Sequence, residues 1–224
     1  MKSMVHSLAT RHWEDWGKCV RSWYATASRS YPAYMVFEKP LMEAYNQVLQ
    51  NTREEIIAYA HDDVMIFEKN WDQRVLQEFN DPNIGMVGFA GATGHGDPQM
   101  YNKPYEMKQF ARQNFMSNMR TAELHGSRFS GERDVAVFDG LAIFVRRDIL
   151  ETAGGWPDGT PINYWCYDYW ISMEVRRQGF RNRLVGVDCE HLGGKSPSIV
   201  REDIEAAHRW LYYHYKDVLP YEAP

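Results

Sequence analysis

The chain contains few cysteines and no long apolar run, and these two shortages exclude several classes of protein. Its 224 residues include three cysteines, Cys19, Cys166 and Cys189, which are odd in number and widely spaced. They form neither a zinc-ligand pattern nor a disulfide framework, so we expect a reducing compartment and a cytoplasmic location. No apolar run approaches the ~20 residues that a membrane-spanning helix needs, and the first eight residues are too weakly apolar for a signal peptide. We therefore expect no integral membrane segment.

The chain also lacks an excess of positive charge. It has 30 Asp and Glu residues against 25 Lys and Arg, a formal net charge of −5, so no overall basic field indicates nucleic-acid binding. A local patch formed by Arg176, Arg177, Arg181 and Arg183 remains an alternative. Aromatic residues, in contrast, are numerous, with eight Trp and fourteen Tyr. Their amphipathic rings suit sugars and bases as well as a protein core.

Strands and helices are predicted to alternate over the first 92 residues. The predicted strands cover residues 4–9, 33–37, 56–60 and 84–92, and the predicted helices cover residues 13–27, 41–50 and 71–79. Such alternation indicates an α/β fold with a mostly parallel central sheet and helices on both faces. Gly85, Gly88 and Gly91 in the fourth strand would permit close approach of another backbone. We see no internal repeat or linker and expect one domain over residues 1–224.

The second half of the chain is less regular. Glycine and proline interrupt residues 93–133, which we interpret as a long functional loop with a short helix at 106–116. Residues 134–145 are predicted to form a bent strand, or two strands, around Asp139-Gly140. Further elements are predicted as helices at 147–152, 167–178 and 199–215 and a strand at 183–187.

The third predicted strand ends in His61-Asp62-Asp63, an abrupt change from apolar to polar residues. In open α/β sheets, ligands bind just beyond the carboxyl ends of strands. His61 and Asp63 are two residues apart and can face the same way. Asp63 suits a hard divalent cation that also binds substrate phosphates, with His61 or Asp62 reaching a nucleotide. The alternative is that these residues simply open a surface turn.

Two polar residues in the second half could join this site. Asp168 lies at the start of a predicted helix, where the helix dipole favours a carboxylate, and it could act as a general base or as a helix cap. His191 follows the last predicted strand. A histidine there could complete the coordination of a metal, more readily Mn²⁺ than Mg²⁺, or could be purely structural.

Eight features of the sequence follow one another in a characteristic order: Ala44–Leu49, Ile56–Val64, Asp81–Gly88, Phe138–Gly140, Val145–Arg147, Gly154–Trp156, Tyr167–Trp170 with Arg176–Gly179 downstream, and His191. Their order resembles that of family 2 glycosyltransferase-like proteins with the GT-A fold. They extend over nearly the whole chain. The resemblance implies a single GT-A domain with a nucleotide-binding half, residues 1–92, and an acceptor and catalytic half, residues 93–224.

The resemblance also implies an activity. A sugar would pass from a nucleotide-diphospho-sugar donor to an acceptor hydroxyl, with the help of Mn²⁺ or Mg²⁺. A single displacement would invert the anomeric carbon, and a retaining outcome is the alternative. The acceptor hydroxyl could belong to a glycan, a lipid-linked sugar, a protein or a modified nucleic acid. Asp168 would be the catalytic base, and Asp63 and His191 would bind the metal.

Further roles are implied for residues around these three. The residues implied to bind the donor are Thr10, Arg11, Glu38, His61, Asp62 and Lys195, and those implied to contact the sugar or acceptor are Asp139, Trp156, Tyr167 and Trp170. For Lys195, a solvated loop lysine is the alternative. Two positions depart from the family pattern: His61 stands where an acid is common, and Tyr167 replaces the first member of an acidic pair.

Two other functions compete with this interpretation. A nucleotidyltransferase also uses a metal, a nucleotide and an α/β sheet, but it usually carries a glycine-rich phosphate loop after its first strand, and residues 8–12 contain no glycine. A non-catalytic, carbohydrate-binding protein that retains the fold is the second alternative, and it is favoured by the histidine at position 61.

Overall fold

A computed structural model describes residues 2–10, 13–95, 115–120, 126–192, 201–219 and 221–224. In chain order the elements are β1 Met4–Thr10, α1 Trp13–Thr26, β2 Ala33–Phe37, α2 Leu41–Asn51, β3 Ile56–Ala60, β4 Val64–Ile66, α3 Trp71–Glu78, β5 Ile84–Gly88, β6 Ala90–Ala92, β7 Gly94–His95, β8 Phe115–Ser117, β9 Ser127–Arg128, β10 Glu132–Val135, β11 Val137–Phe138, β12 Ala142–Arg146, α4 Arg147–Thr152, α5 Tyr167–Arg177, β13 Arg181–Val185, β14 Cys189–His191, α6 Arg201–Tyr215 and β15 Tyr221–Glu222. Within these ranges, none of the helices combines the length and apolar character needed to cross a bilayer.

A seven-stranded sheet forms the centre of the protein, with the spatial order β10-β13-β5-β12-β3-β1-β2. Strands β1, β2, β3, β5 and β13 run in one direction, while β12 and β10 run antiparallel to their neighbours. The prediction of a mostly parallel sheet is therefore confirmed. Because β1 and β3 are parallel neighbours, the residues that follow them meet at one edge of the sheet.

Helices cover both faces of this sheet, as predicted. Ile57 and Tyr59 of β3 point into a core that α2, α4, α5 and α6 share. Ile56 and Ala58, their alternating neighbours, point into a second core with Trp23 of α1 and with α3. All five residues of β3 are buried, which explains why the strand reads as a continuous apolar run.

Smaller sheets form where the chain passes out of the central seven-stranded sheet. The predicted strand over residues 84–92 divides at Phe89, and its second part, β6, pairs with β8 and β11 instead. At Gly91 a Cβ atom would lie 2.6 Å from the carbonyl oxygen of Val137, so the close approach expected of this glycine occurs. Residues 134–145 likewise divide, into β10, β11 and β12.

One predicted helix is wrong where the structure describes it. Residues 115 and 116 belong to β8, which pairs with β6, rather than to the end of a helix. The remainder of the predicted helix, residues 106–114, lies outside the described residues.

Candidate active site

The turn after β3 carries the first polar residues of the site. The backbone N–H of His61 donates a hydrogen bond to the carbonyl oxygen of Leu141, with an N···O distance of 3.0 Å. The carbonyl oxygen of Asp63 accepts a hydrogen bond of the same length from the N–H of Leu192. These bonds fix both ends of the turn, and the donor atoms of His61 and Asp63 lie within 4.8 Å of each other, as their spacing predicts.

Strand β14 adds a third donor from the far half of the sequence. It runs antiparallel to β4 and places His191 opposite Val64. Nε2 of His191 lies 3.0 Å from Oδ1 of Asp63 and 3.4 Å from Nδ1 of His61. One donor atom each from His61, Asp63 and His191 therefore lies within 4.8 Å of the other two.

This set of three donors fits a divalent cation. Adjacent ligands of an octahedral ion at about 2.1 Å stand about 3 Å apart, and His191 lies at such distances from both of its neighbours. Two imidazole nitrogens and one carboxylate suit Mn²⁺ better than Mg²⁺, which prefers oxygen ligands. The resemblance implies that His61 contacts the donor, whereas its place in this cluster makes it a third candidate ligand of the metal.

Burial and mutual contact set the charges of the cluster. Burial favours a higher pKa for Asp63, but the hydrogen bond and charge of His191 outweigh it and hold the pKa of Asp63 below its usual range. Burial favours a lower pKa for His191, but Asp63 outweighs it and raises that pKa. Burial, assisted by the charge of His191, lowers the pKa of His61. These shifts favour the charged pair of Asp63 and His191 and the neutral form of His61.

Tyr167, at the start of α5, links this cluster to the rest of the site. Its hydroxyl oxygen lies 2.9 Å from Nε2 of His61, and the hydroxyl donates a hydrogen bond to the carbonyl oxygen of Gly140 at 3.2 Å. Burial raises the pKa of Tyr167 well above its ordinary value, so the hydroxyl stays protonated. Gly140 is not among the predicted site residues, although it belongs to Phe138–Gly140, one of the segments that carry the family resemblance.

The carboxyl group of Asp168 is held by two backbone donors. Oδ2 accepts a hydrogen bond from the N–H of Gly140 at 2.9 Å, and Oδ1 accepts one from the N–H of Tyr169 at 2.8 Å. Burial, followed by the charge of Asp139, raises the pKa of Asp168 from its ordinary value of 3.8 to about 7. Asp139 is half-buried and accepts a hydrogen bond from the N–H of Leu141 at 3.0 Å.

Three of the four residues expected to contact the sugar or acceptor, Trp156, Tyr167 and Trp170, are buried in the core instead. The side chains of Trp156 and Trp170 are only 2% and 3% exposed. Trp156 packs against Tyr45 and Tyr59 with ring centroids 5.0 and 4.9 Å apart. Neither indole offers a free face to a sugar, so the implied contact of Trp156 and Trp170 with the sugar or acceptor is corrected to a packing role. The sequence pattern did not distinguish the two because both uses need closely spaced aromatic residues.

The residues expected to bind the donor are described only in part. Glu38 follows β2 and is exposed, with a positive φ of 55°, and Asp62 is half-buried in the turn between the candidate metal ligands. The backbone of Thr10 ends β1, next to Phe37 of β2. The side chain of Thr10 and all of Arg11 and Lys195 lie outside the described residues.

Three of the four arginines considered as a basic patch form ion pairs with acidic residues, and Arg176 donates a hydrogen bond to the carbonyl oxygen of Val218. Arg177 pairs with Glu174 at 2.6 Å, and Arg181 and Arg183 both pair with Asp134, at 2.6 and 3.1 Å. These ion pairs give the arginines a structural use and lessen the case for nucleic-acid binding.

The sheet and the site at the end of β3 define a GT-A glycosyltransferase fold. A mannosyltransferase from Pyrobaculum calidifontis, PcManGT, solved with GDP-Man and Mn²⁺, is similar over 100% of this chain and 66% of its own, with 15% identity and a TM-score of 0.60. GalNAc-T7, solved with UDP, GalNAc and Mn²⁺, is similar over 97% of this chain and 50% of its own, with 10% identity and a TM-score of 0.63. This chain thus spans about two thirds and one half of these structures, and at such identities the likeness concerns the fold alone.

The family follows from the sequence. The profile of the family described as "Glycosyltransferase like family" matches residues 34–194, well over half of the chain. The chain belongs to this family, which is glycosyltransferase family 2-like. No curated protein matches the chain at a significant level.

Proposed function

We propose that this protein transfers a sugar from a nucleotide-diphospho-sugar to an acceptor hydroxyl. The observation that carries the proposal is the convergence of His61, Asp63 and His191 at the carboxyl end of β3, where α/β folds bind their ligands. In the second half of the chain, Asp168 supplies a carboxylate whose pKa of about 7 suits acid–base chemistry. Gly140 connects the two, because its N–H binds Asp168 and its carbonyl oxygen binds Tyr167.

The three clustered residues would hold Mn²⁺ in preference to Mg²⁺. The donor set supports this choice through its two imidazole nitrogens, and both similar structures were solved with Mn²⁺. When bound, the cation would offset negative charge that develops on the leaving diphosphate. Nε2 of His191 and Oδ1 of Asp63 are 3.0 Å apart, so these two candidate ligands are already in contact before a donor arrives.

Asp168 would accept the proton of the acceptor hydroxyl as its oxygen attacks the anomeric carbon. A carboxyl group with a pKa of about 7 is ionised in a substantial fraction of molecules at neutral pH and still has a strong affinity for a proton. The N–H groups of Gly140 and Tyr169 fix its two oxygens in place. Direct attack with Asp168 as base is a single displacement and would invert the anomeric configuration.

A nucleotide-sugar screen tests the proposal. GDP-, UDP- and dTDP-sugars are added with and without Mn²⁺, while the melting temperature and the release of nucleoside diphosphate are measured. Binding to the folded state raises the melting temperature, so we expect one donor to do so in the presence of Mn²⁺ and to release its diphosphate. Binding without release in the presence of varied acceptors would favour the non-catalytic alternative, and release of pyrophosphate from a nucleoside triphosphate would favour a nucleotidyltransferase.

Replacing a candidate ligand tests the metal site directly. Asp63→Ala removes the carboxylate and leaves His191 without its partner, so we expect nucleotide affinity in Mn²⁺ to fall by at least about tenfold. The measurement is isothermal titration with the donor found in the screen, with and without Mn²⁺. Asp217→Ala is the matched control, since Asp217 is exposed after α6. Equal affinities for Asp63→Ala and wild type would contradict the assignment.

A further inference from the structure

We infer that Tyr167 is a positioning residue that holds His61 in the tautomer protonated on Nε2, so that the lone pair of Nδ1 faces the metal site. The inference rests on the proposed function and adds a residue to it. The two departures from the family pattern, His61 and Tyr167, are 106 residues apart in sequence and are hydrogen-bonded to each other at 2.9 Å. The two departures therefore form one matched pair.

The hydroxyl of Tyr167 supplies the first constraint on the tautomer. It has one proton and lies 3.2 Å from the carbonyl oxygen of Gly140 and 2.9 Å from Nε2 of His61. The hydroxyl of Tyr45, which also interacts with it, can either donate or accept and so does not require that proton. A carbonyl oxygen can only accept, so the hydroxyl donates its proton there. The hydroxyl oxygen then accepts a hydrogen bond from His61, which requires the proton of His61 to be on Nε2.

The contact with His191 supplies a second constraint, at the other side of the imidazole ring. Nε2 of His191 lies 3.0 Å from a carboxylate oxygen of Asp63, which can only accept, so this nitrogen carries a proton. Nδ1 of His61 lies 3.4 Å from the same nitrogen. A proton on Nδ1 of His61 would point at the N–H of His191 and be repelled by it. A lone pair on Nδ1 is instead attracted to that N–H. Both sides of the ring thus select the same tautomer of His61.

Gly140 keeps Tyr167 at the position that this arrangement requires. A Cβ atom at residue 140 would lie 1.9 Å from the hydroxyl oxygen of Tyr167, so no larger residue fits while the hydroxyl is there. The same glycine binds Asp168 through its N–H. The orientation of the metal ligand His61 and that of the proposed base are therefore fixed by one peptide segment.

The first test determines the tautomer of His61 in the metal-free wild-type protein. Long-range ¹H–¹⁵N correlation spectra of histidine-labelled protein distinguish a protonated ring nitrogen from an unprotonated one. The expected result is a proton on Nε2 and a lone pair on Nδ1. The opposite tautomer would overturn the inference, whether or not the protein binds a metal.

The second test is a double-mutant cycle on Mn²⁺ affinity, followed through the electron paramagnetic resonance signal of free Mn²⁺. Residues that orient a metal ligand typically contribute 10- to 100-fold to metal affinity, so we expect Tyr167→Phe to weaken Mn²⁺ binding by about that factor. In a His61→Ala background the same change is expected to have no further effect, because Tyr167 acts through His61. An equal loss in both backgrounds, or no loss in either, would overturn the inference.

A matched control separates orientation from packing. Tyr59→Phe removes a hydroxyl from a buried tyrosine of β3, the strand that leads to His61, and that hydroxyl interacts with Trp156 of the core rather than with His61, Asp63 or His191. We expect this variant to bind Mn²⁺ like the wild type, and melting temperatures verify that each variant is folded. If wild-type protein binds no Mn²⁺, the proposed function fails, while the tautomer measurement still decides the inference.

Discussion

Asp168 is placed where its charge costs stability, which is common for a group that performs acid–base chemistry. In the unfolded chain it loses its proton near 3.8, whereas in the folded protein its pKa is about 7 because of burial and Asp139. Between these values the folded state binds more protons than the unfolded state. The free energy of unfolding therefore falls as the pH rises from about 4 to 7.

Asp168→Asn is accordingly expected to stabilise the protein while abolishing most of its turnover. The rise in pKa corresponds to about 4 kcal/mol, and we expect a gain of about 2 kcal/mol at pH 8, since asparagine can accept only one of the two backbone hydrogen bonds. Turnover should fall by about 10²-fold or more with the loss of the base. Urea denaturation at pH 5 and pH 8 checks the stability, and the gain should be larger at pH 8. A variant less stable than the wild type at both pH values would contradict the assigned pKa.

Other single residues show how far the sequence alone could identify the site. Asp63, His191 and Asp168 stood out because each lies at the end of a predicted strand or the start of a predicted helix. The contact between His61 and Tyr167 was not predictable, since it joins positions 106 residues apart through a side-chain hydrogen bond. The burial of Trp156 could not be predicted for a related reason, since its aromatic partners Tyr45 and Tyr59 come from distant elements.

At the scale of elements, α2 is tied to the turn that follows α4. The amide of Asn46 accepts a hydrogen bond from the N–H of Trp156 at 2.7 Å and donates one to the carbonyl oxygen of the same residue at 3.0 Å. Gly155 has a φ of +97°, and a Cβ atom there would lie 2.7 Å from Oδ1 of Asn46. Two segments that carried the family resemblance, Ala44–Leu49 and Gly154–Trp156, are thus in direct contact.

Asn46→Ala is expected to lower the free energy of unfolding by about 2–3 kcal/mol, because it leaves two backbone groups of Trp156 without their partner. Asn51→Ala is the control in the same helix. Its amide is exposed and binds only Gln47 of its own helix, so we expect a change within about 0.5 kcal/mol. Urea unfolding of both variants measures the difference, and similar values for the two would show that the link to the turn contributes little.

Elements that local interactions define were predicted accurately, whereas an element that depends on long-range pairing was not. The strand at residues 33–37 and the helix at 147–152 have the predicted bounds, because local apolar pattern and flanking proline or glycine determine them. The strand over 84–92 was wrong as a single element because Phe89 is where the chain changes sheets. That change depends on pairing with β8 and β11, which no local pattern reveals.

At the scale of the whole molecule, three buried histidines make folding sensitive to acid. Burial lowers the pKa of His6 to about 4, against the charge of Asp72, and lowers that of His208 to about 4. Burial, followed by the charges of Arg176 and His208, lowers the pKa of His95 to about 3. These residues belong to both sides of the sheet: His6 packs beside Trp23 and Trp71, and the other two pack beside Tyr169.

Each of these histidines binds a proton near pH 6.5 in the unfolded chain but only well below that in the folded protein. Their contribution to stability is complete above pH 6.5 and is lost as the pH falls towards 4. From pH 7 to pH 5 the three together remove about 5 kcal/mol, and protonation of folded Asp168 restores about 2 kcal/mol. The net loss of about 3 kcal/mol is a large share of the stability of a typical domain, about 5–15 kcal/mol.

His6→Phe tests this account of acid sensitivity. Nε2 of His6 is buried and has no hydrogen-bond partner among the described residues, so a phenyl ring can replace the imidazole among the surrounding aromatic rings. We expect the difference in unfolding free energy between pH 7 and pH 5, measured by urea denaturation, to shrink by about 2 kcal/mol in this variant. His214→Phe is the control, because His214 is exposed on α6, and it should leave the difference as in the wild type. If His6→Phe also left it unchanged, the acid sensitivity of the fold would have to originate from groups other than its buried histidines.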